Sequence, residues 1–305
     1  MCPVRYRDAG RALMDWDLYT ATVDRLPAMR ELHVQGLGEP LLHPRFFDMV
    51  AYAADKGIEV SVNTNLTILT ASMARRMADC GLAAIYVSID AADPAVYEYI
   101  RVGARFDRVD RNLQRLIDAI GGRERPRLAL VVVAMRCNLT QLSEVVRLAA
   151  RRGVAAVNVQ HLCHDYGEST LPVRYAPMRD FFEAETLLGY DPVAVDRAFR
   201  GASAAAVECG VQLRLPPTAG REHAPDTPGR ERCDWPWRGP YIAYDGTVMP
   251  CCVAATPERA HLARLNGEPF ETIWNGPAYT AFRNALSSAA PPEICRTCSI
   301  YRHTF

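Results

Sequence analysis

The sequence predicts an α/β fold: a parallel-stranded β/α barrel, open or closed, followed by a small α+β domain rich in cysteine. Three observations predict it. From residue 17 to about 160, short β-branched runs alternate with helix-sized amphipathic stretches. The strand-sized runs end in small polar clusters, at the rim where barrels of this kind build their sites. Five of the ten Cys residues lie beyond residue 230, in a tail too polar for a large core of its own.

The expected strands are Leu32 to Gln35, Ile58 to Asn63, Ala84 to Asp90, Leu128 to Ala134 and Ala155 to Gln160. Between them, Phe46 to Lys56 and Leu142 to Arg152 read as helices, each followed by a glycine, Gly57 or Gly153, that suits a left-handed C-cap. The unbroken apolar run from Leu128 to Ala134 predicts a strand buried on both faces. A doubly wound sheet is the rival arrangement. Residues 1–164 are assigned to the barrel, 165–232 to an acidic helical segment and a Pro-rich linker, and 233–305 to the tail. Within the tail, Tyr241 to Asp245 and Thr247 to Pro250 form a hairpin about the turn dipeptide Asp245-Gly246. A chain of 305 residues, 49% hydrophobic, suffices for one large core with an appendage.

Composition narrows the function. Basic and acidic residues number 35 each, which removes the long-range field that draws a protein to nucleic acid or an anionic membrane. The N-terminus has no apolar segment behind a basic start, and eighteen apolar residues never run together, so the expectation is a cytoplasmic chain. In a reducing compartment ten Cys are thiols, and thiols gathered near turns are candidate metal ligands.

Cys233, the pair Cys251-Cys252 and Cys295-Arg-Thr-Cys298 supply the thiols of the tail. A C-x2-C knuckle sets two sulfurs on one metal, and Cys233 with the hairpin Cys completes a four-thiolate cage for zinc or a 4Fe-4S cluster. Spacing does not choose between them. Adjacent strand residues point to opposite faces, so one of Cys251 and Cys252 is spare. In the barrel, Gly36-Leu-Gly38-Glu39-Pro40, Asn63-Thr-Asn65 and Ser88-Ile-Asp90 follow successive strands. The first lacks the third glycine of a dinucleotide fingerprint. His33, His43, His161 and His164 are read as hydrogen-bonding rim residues, and Cys80, Cys137 and Cys209 as buried packing.

The run Cys233-Asp-Trp-Pro-Trp, then Tyr-Ile-Ala-Tyr-Asp-Gly-Thr-Val-Met-Pro-Cys251-Cys252, Phe270-Glu-Thr-Ile-Trp-Asn-Gly and Pro292-Glu-Ile-Cys295-Arg-Thr-Cys298 resembles the SPASM/Twitch auxiliary-cluster domain of radical S-adenosylmethionine (SAM) proteins. Its Cys count resembles the shorter Twitch form, which holds one 4Fe-4S cluster. By that resemblance the ligands are Cys233, Cys251, Cys295 and Cys298, with Cys251 favoured over Cys252, and Trp235 and Trp237 shield the cluster. Gly36-Leu-Gly-Glu-Pro-Leu-Leu-His-Pro, and Val87-Ser-Ile-Asp followed by Tyr97-Glu-Tyr-Ile-Arg101-Val-Gly-Ala-Arg-Phe, resemble the radical SAM core, a (β/α)6 barrel, here partial and without its first strand. The resemblance implies that Gly36, Gly38 and Glu39 contact SAM, that Asn65 and Ser88 lie near its methionine or ribose, and that Arg101 is a looser candidate. Met1-Cys2-Pro3 resembles the end of the family's C-x3-C-x2-C motif, which makes Cys2 a ligand of the catalytic 4Fe-4S cluster and places the true start upstream of Met1.

The implied function is that of an enzyme. A 4Fe-4S cluster cleaves SAM, hydrogen is abstracted from a peptide or small-metabolite substrate, and an electron donor such as flavodoxin or ferredoxin serves the cluster. The implied catalytic residues are unknown. The alternative is a non-catalytic zinc or iron-sulfur protein with a degenerate barrel.

Overall fold

The computed structural model describes residues 12–36, 38–163, 173–218, 223–224, 226–253, 260–265 and 267–302. The chain divides into two compact units. One gathers Met29–Leu162 and Glu183–Thr218; the other gathers the described residues of Cys2–Ala28, Cys163–Phe182 and Ala219–Phe305.

In the first unit, six parallel strands form one sheet: β1 (Glu31–Val34), β2 (Glu59–Thr64), β3 (Leu82–Ser88), β4 (Arg127–Ala134), β5 (Ala156–His161) and β6 (Gln212–Arg214). Each strand pairs with its neighbour in sequence, in the order β1-β2-β3-β4-β5-β6. A doubly wound sheet reverses its direction of growth at a switch point. This one never does, so the barrel-type reading holds and the rival falls.

The crossover helices lie where apolar residues recur every three or four positions. In Phe106–Ile120 the buried aliphatics are Val109, Leu113, Leu116 and Ile120, one stripe on one face. Burying each such side chain contributes about 1.5–3 kcal/mol. Leu142–Arg152 ends, as expected, at Gly153, whose φ of +71° is the left-handed cap conformation.

Two expectations need correction. The run from Leu128 to Ala134 is not buried on both faces: Leu130, Val132 and Ala134 are buried, whereas Val131 and Val133 are only half-buried. One face of the sheet is sealed by helices and the other is left open. Residues 165–232 also hold more regular structure than a helical segment and linker. Helix Pro192–Cys209 packs against Leu142–Arg152 and leads into β6, which pairs with β5. Its buried residues are Val195, Phe199, Ala202, Ala205 and Ala206, and the three alanines permit close helix–helix approach. β6 escapes a reading by periodicity because it has three residues, only one of them half-buried.

The second unit contains a three-stranded antiparallel sheet, β7 (Tyr241–Ile242), β8 (Thr247–Met249) and β9 (Ala263–Arg264), in the order β7-β8-β9. The expected hairpin is present. Gly246 takes φ +83°, and the Asp245 carboxylate accepts the Thr247 N–H at 3.0 Å, closing the turn. Among the described residues of this unit, apolar side chains gather in two groups. Val248, Phe270, Ile273 and Tyr279 make one; Leu286, Cys298 and Tyr301, with Cys233, Trp237, Val253, Cys295 and Ile300 packed on them, make the other. Among the described residues, no helix is long and apolar enough to cross a membrane.

Candidate cofactor sites

After β1 the chain passes Gly36 and Gly38, both exposed, and reaches Glu39; Leu37 lies outside the described residues. A Cβ at Gly38 would meet nothing within 4 Å, so the protein itself does not require glycine there and the approach to the backbone is open. Glu39 caps the short turn Pro40–Leu42. Its Oε1 accepts the Thr64 hydroxyl at 2.7 Å and the Leu41 N–H at 3.2 Å, and its Oε2 accepts the Asn65 N–H at 2.8 Å. The carboxylate thus ties the end of β1 to the end of β2. Burial raises the Glu39 pKa above the ordinary carboxyl value, against the lowering effect of those three donors and of the nearby Arg101 charge. A carboxylate offers about four lone-pair positions. Three are filled, and the one left on Oε2 suits a cationic donor.

Asn65 turns its side-chain oxygen back on its own loop, accepting the Thr67 N–H at 2.9 Å and the Thr67 hydroxyl at 2.6 Å. The next residue, Leu66, is fully buried with φ +55°, a conformation that costs a non-glycine residue of order 1–3 kcal/mol. Asn112 holds it there, donating to the Leu66 carbonyl at 2.7 Å from inside the core. Ser88 ends β3 half-buried, on the open face of the sheet. Arg101 is already committed: its Nε donates to Asp90 Oδ2 at 2.7 Å, and Asp90, wholly buried, also accepts the Val133 N–H at 2.9 Å. Arg101 therefore braces the rim next to Glu39.

The open face carries residues that the motif reading left out. His33 Nδ1 meets the Ser61 hydroxyl at 2.8 Å and His33 Nε2 meets Gln35 Oε1 at 3.1 Å, while Asn63 donates to the same Gln35 oxygen at 2.9 Å. Because Gln35 Oε1 only accepts, His33 carries its proton on Nε2 and accepts a hydrogen bond from the Ser61 hydroxyl on Nδ1. Tyr86 stands in register with Asn63, and Asn158 with Val131. The signal was the polar alternation His33-x-Gln35, Ser61-x-Asn63, Tyr86-x-Ser88 and Asn158-x-Gln160 in strands of a parallel sheet. His161 is buried and donates Nε2–H to the Pro217 carbonyl at 2.7 Å, and His43 accepts the Arg45 N–H at 3.1 Å. His164 and Cys2 lie outside the described residues. Cys80, Cys137 and Cys209 are half-buried rather than buried.

In the second unit Cys298 is buried and Cys233 and Cys295 pack against its group. Burial pushes the Cys233 thiol up to about 11, against a hydrogen bond from the Trp235 N–H, with further upward pressure from Cys298 and Cys252. Burial and then Cys298 also push up the Cys252 thiol. Cys163 joins them. Cys163 is exposed as a residue, yet local desolvation of its thiol pushes it up to about 11, with further pushes from Cys298 and Cys252, while Ser299 donates a hydrogen bond to it. Burial pushes the Tyr279 hydroxyl up, with a smaller upward push from Cys251. Trp237 covers the Cys298 group, with Arg230 over its ring. Among the described residues, no three His, Cys, Asp or Glu side chains converge as one metal ion requires. Tetrahedral zinc brings its sulfurs to about 3.8 Å of one another. A cubane spreads its ligand sulfurs over four iron corners, a wider donor set than tetrahedral zinc requires.

A model of the radical SAM superfamily matches residues 1–133, and a model of the SPASM iron-sulfur cluster-binding domain matches residues 233–299. The chain is a radical SAM protein with a SPASM domain. A relative from Pyrococcus furiosus, the tungsten-containing aldehyde ferredoxin oxidoreductase cofactor-modifying protein, is 29% identical over 98% of this chain and 83% of its own length. The PqqA peptide cyclase of Xanthomonas campestris is 26% identical over 88% of this chain and 66% of its own. The fold is shared with the Streptococcus suis protein SuiB, solved with its precursor peptide SuiA, at a TM-score of 0.65 and 12% identity over 99% of this chain and 67% of that one. This radical SAM protein is thus an enzyme of a family that includes maturases.

Proposed function

We propose that the protein binds SAM at the rim formed by the ends of β1, β2 and β3, and uses a 4Fe-4S cluster to start hydrogen abstraction from a peptide or a cofactor-sized small molecule, with a second 4Fe-4S cluster in the SPASM domain. The observation that carries the reading is Glu39, a carboxylate fixed by three donors with one lone pair unspent, beside Gly38, which leaves the backbone open. That lone pair accepts the α-ammonium of the methionine moiety. The Gly36 and Gly38 backbone lines the approach, and Ser88 and the Asn65 backbone flank it. When bound, the reduced cluster supplies the electron that breaks a carbon–sulfur bond of SAM and yields the 5'-deoxyadenosyl radical.

The chain's own contribution is to orient and to exclude side reactions. His33, Gln35, Ser61, Asn63, Tyr86 and Asn158 present neutral hydrogen-bonding groups on the open face. Such a face suits amide or heterocyclic groups rather than a highly charged ligand. The named activities of the relatives, modification of a tungsten enzyme's cofactor and cyclisation of a peptide, support the same two substrate classes. A flavodoxin or ferredoxin serves as electron donor in this reading, and the chain works in the cytoplasm.

The test is anaerobic reconstitution of the chain. Iron, labile sulfide and zinc are then measured, with 5'-deoxyadenosine after reduction by dithionite. Iron with matching sulfide and 5'-deoxyadenosine formation is the expected result. Zinc without sulfide overturns the enzyme reading and leaves the non-catalytic metal protein.

A further inference from the structure

Leu66 occupies a left-handed turn that a leucine disfavours. It is fully buried and takes φ +55° directly after the rim residues Thr64 and Asn65. Both of its backbone groups are engaged in holding that turn. The Leu66 N–H donates to the Thr64 hydroxyl at 3.1 Å, and the Leu66 carbonyl accepts Asn112 Nδ2 at 2.7 Å. Asn112 comes from the helix Phe106–Ile120 and is itself buried. Its amide is also oriented: Asn112 Oδ1 accepts Arg115 Nη1 at 2.5 Å, which leaves the NH2 end facing Leu66.

The turn governs what Glu39 receives. A hydroxyl has one proton to give. With the Leu66 N–H aimed at its oxygen, the Thr64 hydroxyl gives that proton to Glu39 Oε1 at 2.7 Å. The Asn65 N–H, one residue before the strained position, goes to Glu39 Oε2 at 2.8 Å. Two of the three donors on Glu39 thus belong to the loop that Leu66 closes, and the third, the Leu41 N–H, comes from the turn Glu39 caps. A hydrogen bond made in the core, on a different helix, therefore bears on the carboxylate at the rim.

We infer that Asn112 is a positioning residue for SAM: by holding Leu66 left-handed it keeps the Thr64 and Asn65 donors on Glu39, and so fixes the lone pair offered to the methionine ammonium. The inference rests on the reading that Glu39 binds SAM. Without Asn112 the loop relaxes toward the ordinary negative-φ conformation and the two donors draw away from the carboxylate. Those donors hold the Glu39 pKa down against burial, as does the charge of Arg101, which the change leaves in place.

The experiment is isothermal titration of the reconstituted chain with SAM over a range of pH, with thermal unfolding alongside. Asn112→Ala is compared with Ile120→Ala, a buried residue about two turns further along the same helix, whose truncation destabilises the fold away from the loop. Asn112→Ala is expected to raise the Kd for SAM roughly tenfold and to move the acid limb of binding to higher pH. Ile120→Ala is expected to lower the unfolding midpoint and to change neither. Should Asn112→Ala fail to fold, Asn112→Ser, polar but too short to reach Leu66, is expected to give the same two shifts. A folded Asn112 variant with its Kd within twofold of the parent, or with the parent's acid limb, overturns the positioning role, and so do equal shifts in Ile120→Ala. A Glu39→Gln variant that binds SAM as the parent does overturns the SAM-site reading instead, and the inference with it.

Discussion

Replacing Glu39 by Gln keeps the shape of the side chain and removes its charge, and the structure says what that costs. Oε1 accepts two donors and Oε2 accepts one. In one amide orientation the new NH2 faces the Asn65 N–H, donor against donor; in the other it faces the Leu41 N–H. Either way a partly buried donor is left unsatisfied, at about 1–3 kcal/mol of stability. The lone pair offered to the SAM ammonium is lost as well. A hydrogen bond to a charged group contributes about 1.5–3 kcal/mol, so SAM binding should weaken roughly 10- to 150-fold. Isothermal titration of the reconstituted chain with SAM measures this, with thermal unfolding as the check on folding. The pH dependence separates the two effects. Because burial raises the folded Glu39 pKa, this group favours the folded state below its unfolded value, and that contribution is lost as pH rises through the folded value. SAM binding runs the other way, needing the ionised form. Acidification should therefore weaken binding at a pH above the ordinary carboxyl value of 4.5, with no loss of folding from this group. A Glu39→Gln variant whose Kd stays within twofold of the parent, with the same acid limb, refutes the role given to Glu39.

Asp90→Ala removes the buried carboxylate that the Arg101 Nε and the Val133 N–H share, and should destabilise the first unit by about 1–3 kcal/mol in urea unfolding; an unchanged midpoint contradicts the bracing role. Asn112→Ala leaves the Leu66 carbonyl without its donor and should cost about 1–3 kcal/mol, with faster amide exchange over residues 64–67; unchanged exchange there counts against it. Gly229→Ala drives a Cβ into the Leu286 carbonyl oxygen, a backbone atom that cannot swing aside. The helix Gly229–Arg232 ends at Cys233, so this variant should lower the iron content of the SPASM domain, and full iron occupancy would argue that Cys233 is no ligand.

The strand-and-helix rhythm was legible because each element of the first unit is long enough to show its period. Val109, Leu113, Leu116 and Ile120 repeat at helical spacing, and Gly153 marks a helix end by chemistry alone. β6 was illegible because three residues display no period and their burial comes from β5 and from helix Pro192–Cys209. The open face of the sheet was misread for a related reason. Val131 and Val133 are as apolar as the residues that alternate with them, and only the polar alternation on the neighbouring strands shows which side is uncovered. At the rim, the motif located Glu39 but not its three donors, since Thr64 and Asn65 lie a whole crossover away in the chain.

The thiols carry that argument to its end. A motif counts candidate ligands by their separation along the chain, and so it finds Cys233 and the pair Cys295 and Cys298 at the two ends of the domain and leaves Cys251 and Cys252 side by side. Packing adds what spacing lacks: Cys233 and Cys295 lie against the buried group of Leu286, Cys298 and Tyr301, with Trp237, Val253 and Ile300 around them. Apolar burial of this kind raises a thiol, as it does for Cys233, and so works against a bare thiolate there. Gathering these residues from both ends of the domain is the work of the fold, and no separation along the chain could have shown it.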